Sequence, residues 1–272
     1  MRQPRACSEP LALADRSSVP QPVRSVVIEH VGSTNTEAFQ RAHAGEAGPL
    51  WIMARRQTHG RGRSGRQWTS EVGNLHASLL QRIACPQGVV HQLSLLAGVA
   101  TVDAIRAAAA GTRIAGLRLK WPNDVLIGAA KVAGILPESL SAGRSAEITT
   151  VIGIGINLAW HPADLGRAAT HLAAHGVDIA PEAMLPLLAT AMERWLGVWS
   201  CGGGFALVRA AWLERAGPVG ESMTVNAGKE QIVGTFLDLD CDGALVLRDN
   251  NGLQRKLTFG DVTLTGADGG RG

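Results

Sequence analysis

The ten residues HGRGRSGRQW, at 59–68, constrain this chain more than any other stretch. Gly60, Gly62 and Gly65 are interleaved with Arg61, Arg63 and Arg66. Glycine lets a backbone close tightly but loses more conformational entropy than other residues on ordering. Three cations in so short a run repel one another unless something negative joins them. No acid lies between Glu46 and Glu71, although Arg55 and Arg56 fall in the same gap. The segment therefore reads as a loop built to receive an anion. Two strand-like runs, LWIMARR at 50–56 and NLHASLLQRI at 74–83, fix its ends.

Known anion motifs do not account for it. Residues 60–65 satisfy G-x-G-x-x-G, but a dinucleotide site needs a helix directly afterwards to offer its N-terminus to pyrophosphate. QWTSEVGNLHASLL follows instead, a loop and then a strand, and no G-x-x-x-x-G-K-[ST] sequence occurs. Arginine-glycine arms for nucleic acid are usually repeated and carry stacking aromatics; this one is single, with Trp68 alone nearby. A net charge of +3 and a pI near 8.9 are too mild to indicate nucleic-acid binding by themselves.

With 272 residues, 46% hydrophobic and 18% charged, the chain reads as one large domain plus a small one. Cys7, Cys85, Cys201 and Cys241 are far apart, with no CxxC pair, and read as free thiols rather than a zinc or disulfide framework. No apolar run of 18 residues is evident, so no membrane span is expected. Residues 1–22 are polar and proline-rich, lack the apolar block of a signal peptide, and read as a flexible tail. A cytoplasmic location follows as the expectation.

Residues 23–216 mix strands (25–31, 50–56, 74–83, 117–121, 148–158) with helices (from 33 to about 44, 91–110, 181–199, 205–214) and a hairpin over 122–136 turning at Gly128. There is no steady βαβ rhythm, so the class is α+β with a mixed sheet and flanking helices. After Gly217 the pattern changes to short alternating runs with hairpin signals at Asp242-Gly243 and Asn251-Gly252, a small β domain at 217–266.

A second cluster lies in LKWPNDVLIGAAKVAGIL, 119–136. Lys120 and Lys131 flank Asn123 and Asp124, and Pro122 stiffens the turn between them. Lys131 falls in an otherwise apolar strand, where a charge is costly unless it is paired or faces a cleft. A third piece, GIGIN at 153–157, ends a strand in small residues and an amide. Each piece has an ordinary reading as a solvated turn, a strand-edge lysine or a turn asparagine. Together they supply mobile cations, an inward lysine, amides and a carboxylate.

GSTN (32–35), QTHGRGRSGRQW (57–68), LKWPNDVLIGAAKVAGIL and GIGIN, in this order and spacing, resemble the biotin protein ligases, also called biotin–[acetyl-CoA-carboxylase] ligases. The resemblance runs from about residue 25 to the C-terminus. It implies a catalytic domain like those of class II aminoacyl-tRNA synthetases and lipoyl ligases, followed by an SH3-like β-barrel. The implied reaction joins the biotin carboxylate to the α-phosphate of ATP, with Mg²⁺, and passes biotin to a lysine of a biotin carboxyl carrier protein, as in acetyl-CoA carboxylase. By position, Ser33, Thr34, Asn35 and Gln57 are expected around the biotin ring. Arg61, Gly62 and Arg63 are expected over biotin and the anhydride, and Lys131 at the carboxylate and α-phosphate. Gly134 lets the strand approach biotin. Arg66, Trp68, Lys120 and Asn157 belong on the nucleotide side. Lys131, Arg63 and Asp124 are the expected catalytic groups, with Asp124 receiving the proton of the acceptor lysine, and no residue is assigned to a metal. Only 31 residues precede Gly32, so the winged helix of repressor relatives and specific DNA binding are not expected. A homodimer is compatible with the resemblance. Ala169 stands where an adenine-side aromatic is expected, and Trp160 is the substitute. A lipoate or octanoate ligase of the same superfamily is the alternative.

Overall fold

A computed structural model describes residues 23–141, 147–163 and 168–264. The expected tail at 1–22 and residues 265–266 of the small domain lie outside them. Among the described residues, twelve strands and four α-helices follow in the order β1 Ser25–Val31, α1 Thr34–His43, β2 Leu50–Gln57, β3 Leu75–Ala84, α2 Leu93–Ala108, β4 Leu117–Lys120, β5 Asp124–Ile127, β6 Ala130–Ser141, β7 Glu147–Ile156, α3 Pro181–Trp199, α4 Phe205–Glu214, then β8 Ser222–Ala227, β9 Glu230–Leu239, β10 Leu245–Asp249, β11 Gln254–Leu257 and β12 Asp261–Leu264.

β1 to β7 form one mixed sheet in the order β1-β2-β3-β7-β6-β5-β4. β1 and β2 are parallel, joined through α1, and the other pairs are antiparallel. Both faces are covered, which explains why LWIM in β2 is apolar without alternation. Ile52 and Leu50 meet Ala38 and Ala42 of α1 on one face. Trp51 and Met53 enter the larger core with α2, α3 and α4 on the other. Pro181 occupies the first turn of α3, where its missing N–H costs nothing.

The sequence reading ended the second hairpin strand at residue 136, before Pro137. β6 instead runs through Pro137 to Ser141. The Ile135 N–H already points away from β7, to the Asn123 carbonyl. Two residues on, Pro137 places its missing N–H on the same side, beyond the end of β5, where no ladder needs it. The helix expected over 91–110 begins as a 3-10 turn at Gln87–Gln92 and becomes α-helical at Leu93. The stretch Gln87–Ala108 contains an 18-residue window with the mean hydropathy, 1.4, of a membrane span, which the sequence reading overlooked; 67% of that window is buried inside the molecule. It packs on α3, α4 and the sheet, and is accounted for as the core helix.

β8 to β12 form a second, antiparallel sheet in the order β11-β10-β9-β8-β12, with hairpins at the two Asp/Asn-Gly signals. Its end strands, β11 and β12, are not joined by a ladder among the described residues, and the sheet occupies the place of the small SH3-like β domain expected after Gly217. Arg118 pairs with Glu221, the Trp121 indole donates to the Gly243 carbonyl, and Arg209 donates to the Leu239 carbonyl, fixing this sheet to the larger unit.

Ile152 is fully buried in the larger core, on the face of β7 opposite α1. Ile152→Ala is expected to lower unfolding stability by about 2–5 kcal/mol through lost burial and a residual cavity, read by urea denaturation.

Candidate active site

The site is built from rows that cross the sheet. Registers place His76 (β3) opposite Gly155 (β7), Gly155 opposite Gly134 (β6), Gly134 opposite Asp124 (β5), and Asp124 opposite Lys120 (β4). Directly opposed residues share a face, so this row forms one strip of pocket floor. The next row holds Ser78, Gly153 and Leu136. Alternation in β7 does the sorting: Ile152, Ile154 and Ile156 enter the core, while Gly153 and Gly155 face the pocket. Both glycines are needed for space. A Cβ on Gly153 would lie 2.4 Å from Asn35 Oδ1, and one on Gly155 would lie 2.5 Å from the Trp68 ring.

Lys131 reaches the same face through an irregularity. Asp124 pairs with Gly134 and Val125 with Ala133, but Leu126 pairs with Lys131. Val132 is therefore an extra residue, a β-bulge. Without it Lys131 and Gly134, three apart, would point to opposite faces, and Lys131 would enter the apolar core.

One end of the pocket is polar and uncharged. Ser33, Thr34 and Asn35, at the start of α1, are all buried. The Thr34 N–H and Oγ1 donate to Gln57 Oε1 at 2.9 and 3.1 Å, and Gln57 Nε2 donates to Ser70 Oγ at 2.9 Å. Ser78 Oγ lies 2.7 Å from Thr34 Oγ1 and 2.6 Å from Asn35 Oδ1. Asn35 Nδ2 donates to Glu138 at 2.6 Å. Ser33 holds the N-cap position without using its hydroxyl as a cap.

The other end is cationic. Lys120 and Lys131 both pair with the buried Asp124, Lys120 at 2.9 Å. Burial alone raises a carboxyl's pKa, but the charges of Lys131 and Lys120, with their hydrogen bonds, outweigh it and bring Asp124 down to about 2. Lys120 also donates to the Val262 carbonyl at 2.8 Å. Residues 60–68 close on themselves: Gly62 N–H donates to Arg66 O, Trp68 N–H to Gly60 O, and Arg61 bridges Gln67. A Cβ on Gly60 would stand 2.4 Å from the Trp68 carbonyl. From this loop Arg61 pairs with Glu138 at 3.1 Å, Arg66 pairs with Asp261, and Arg63 contacts the Gly260 carbonyl at 3.4 Å. Burial lowers the Arg63 pKa from its ordinary value, with Asp261 and Asp124 opposing.

Trp68 lies between the two ends, against Gly134 and Gly155, with the Lys131 ammonium 5.5 Å from its ring centre. Its indole N–H donates to His76 Nδ1 at 3.3 Å, and His76 Nε2 faces the Glu71 carbonyl at 3.2 Å. These partners assign His76 as neutral and protonated on Nε2, in keeping with the burial that lowers its pKa.

The residues expected around biotin and the anhydride, the expected catalytic groups, and Arg66, Trp68 and Lys120 all line this one cleft. Asn157 lines a small adjoining cavity with Gln67, Trp68, Lys131 and Ala169, and donates to the Thr170 carbonyl at 2.9 Å. Trp160 is not on either wall; it is partly exposed, and its carbonyl accepts from Asn74. Sequence reasoning assigned no role to Gly153, Gly155, His76, Ser78, Glu138 or Asp261. The strict Gly-Ile alternation signals the two glycines, and the period of β3 puts His76 and Ser78 on one face. Asp261 carries no local signal.

Residues 27–157 match the profile of the biotin/lipoate A/B protein ligase family, and residues 219–264 match the biotin protein ligase C-terminal domain. That defines the class. The chain is 40% identical over 240 residues to biotin–[acetyl-CoA-carboxylase] ligase of Paracoccus denitrificans, covering 84% of this chain and 95% of that one. It is 32% identical to the bifunctional ligase/repressor BirA of Bacillus subtilis, covering 86% of this chain and 72% of the relative. Biotin protein ligase from Aquifex aeolicus, solved with biotin and ATP, superposes with a TM-score of 0.73 at 26% identity, over 89% of this chain and 98% of that one. The Leishmania major biotin protein ligase with biotinyl-5-AMP gives 0.61 at 25% identity, over 88% and 100%. The chain belongs to the biotin protein ligase family.

Two outcomes follow from the geometry. Gly153→Ala forces Asn35 out of place, so affinity for the organic acid substrate should fall at least tenfold in calorimetry, while core packing on the opposite face of β7 is unaffected. Asp124, held below its ordinary 3.8 at about 2, contributes stability in full above the ordinary value and loses it as pH falls through about 2. The stability gap between wild type and Asp124→Asn in urea melts should therefore narrow as pH is lowered through that window. A constant gap would show that Asp124 does not act through its charge.

Proposed function

We propose that this chain activates biotin as biotinyl-5′-AMP and transfers it to a lysine of a biotin carboxyl carrier domain. The observation that carries the reading is the polarity of the cleft, neutral donors and acceptors at one end and converging cations at the other. The first step brings a carboxylate to the α-phosphate of ATP. A biotin oxygen bonds to phosphorus as the bond to pyrophosphate breaks. Both reactants are anionic, and preorganised cations are the largest available source of stabilisation. Lys131 and Arg63 serve that point. Arg66 and Lys120 serve the nucleotide side, with Trp68 and Asn157 on the wall between. Arg61 and Gly62 belong to the loop over biotin. Arginine's fork suits carboxylate and phosphate oxygens better than a point charge does.

Asp124 takes a different role from the one expected of it. A carboxylate held near pKa 2 by two lysines is a weak acceptor for a lysine proton. It acts instead as a positioning residue, aiming Lys120 and Lys131 into the cleft. In the second step the carrier amine attacks the acyl carbon and AMP departs with the anhydride oxygen.

The hydrogen-bonded set of Thr34, Asn35, Gln57 and Ser78 favours biotin over a lipoyl or octanoyl acid. A ureido ring offers both donors and acceptors, whereas an alkyl or dithiolane end would leave buried polar groups unanswered. Gly134 keeps the floor open beside Lys131 and Trp68. Among the described residues no group of three His, Cys, Asp or Glu side chains is placed to hold a metal ion. The pocket carboxylates Asp124 and Asp261, and Glu138 next to Asn35, are each engaged by cations. Mg²⁺ on this reading arrives on the ATP phosphates. We place the reaction in the cytoplasm, on the carrier of a biotin-dependent carboxylase such as acetyl-CoA carboxylase.

With ATP, Mg²⁺, biotin and an apo carrier domain, intact mass should rise by one biotinyl group on one lysine. A rise with lipoate or octanoate but not with biotin would overturn the assignment. Lys131→Ala should slow pyrophosphate release in the first turnover by about 10²–10³. Asp124→Asn should slow that same step, because it misplaces Lys131; slowing confined to carrier transfer would restore the proton-accepting role.

A further inference from the structure

Two cysteines that the ligase chemistry does not use meet where the end of β3 faces the turn between α3 and α4. Cys85 follows the last residue of β3, Ala84, and Cys201 sits in the 3-10 turn Ser200–Gly202. The Cys201 thiol donates at 3.3 Å to the carbonyl of Ala84, the residue just before Cys85, which places the two cysteine side chains side by side and close enough to influence each other's charge. This contact is held from several directions. The Trp199 indole donates to Gln92 Oε1 at 2.7 Å, and a Cβ on Gly202 would stand 3.1 Å from Val89. Ser200 and Cys201 have φ of 42° and 53°, a left-handed backbone that side-chain-bearing residues rarely adopt. That bend is what turns the Cys201 thiol back onto the strand end.

The two thiols are unequal. Cys201 is exposed and Cys85 is buried. Burial raises the Cys85 pKa, and the adjacent Cys201 adds to the rise. An oxidant therefore meets Cys201 first, with Cys85 waiting behind it as the resolving thiol.

We propose that Cys85 and Cys201 form a reversible intramolecular disulfide in response to peroxide. The Cys201 thiolate attacks hydrogen peroxide, the O–O bond breaks, and a sulfenic acid and hydroxide result. Cys85, as thiolate, then attacks the sulfenic sulfur; the S–S bond forms and the second hydroxide leaves. Two thiols and one peroxide give one disulfide and two waters. The bond ties β3, the strand that carries His76 and Ser78, to the helical layer and closes a long loop of the unfolded chain. A dithiol reductant reverses it.

The test treats the full chain with equimolar hydrogen peroxide and maps it by non-reducing peptide mass spectrometry. The expected product is a Cys85–Cys201 linked peptide, lighter than the sum of its two reduced parts by two hydrogen atoms and abolished by dithiothreitol. The melting temperature should rise by about 5–10 °C on oxidation. Cys201→Ser, at an exposed position, should remove both effects, whereas Cys241→Ser should remove neither. Sulfinic acid on Cys201 without a cross-link, or a link made through another cysteine, would overturn the proposal. A correctly placed link that leaves the melting temperature unchanged or lower would overturn the stapling role.

Discussion

The buried carboxylate of Asp124, held between Lys120 and Lys131, is the interaction on which the cleft depends. Two ammonium groups taken out of water beside an apolar core would be untenable alone. Asp124 makes them tolerable by lying opposite Gly134, in the row of the sheet where both lysine tips converge. The β-bulge at Val132 brings Lys131 into that row, and the Asn123 side chain, donating to the Ile135 carbonyl at 2.7 Å, steadies the turn that carries Asp124. An ion triad with a surplus positive charge is stable enough to fold around and still attractive to an anion.

The other cations follow the same arrangement. Arg61 and Arg66 each rest on a carboxylate, Glu138 or Asp261, at the half-exposed edge of the cleft. Exposed pairs of this kind are worth little, commonly under about 1 kcal/mol. An incoming anion would compete with them at small cost. The loop that carries the arginines is thus shaped before substrate arrives, by backbone hydrogen bonds and weak ion pairs together.

Much of this was legible in the sequence because the relevant signals are local. The β-branched and apolar runs gave β1, β2, β3 and β7 nearly to their ends, and the two glycine hairpins of the second sheet followed from turn chemistry. Lys131 stood out as a charge in an apolar strand. The way it reaches the cleft did not, because a bulge is a property of two strands in register and not of one. Glu138 escaped notice because Pro137 appeared to end the strand. Asp261 lies almost two hundred residues from Arg66, and its pairing exists only once the second sheet has docked. The pairing of Asp124 was hidden for the same reason: it depends on two lysines whose convergence no single segment displays.

The second sheet meets the cleft largely through main-chain oxygens. Gly260 receives Arg63 and Val262 receives Lys120, both through their carbonyls. A carbonyl is supplied by every residue type, so these contacts specify where the strand lies and not which side chains it bears. Apart from Asp261, whose carboxylate pairs with Arg66, β12 can drift in composition without losing these contacts. An added or lost residue in the turn before it would shift both oxygens at once. In that part of the chain, length is under tighter control than identity.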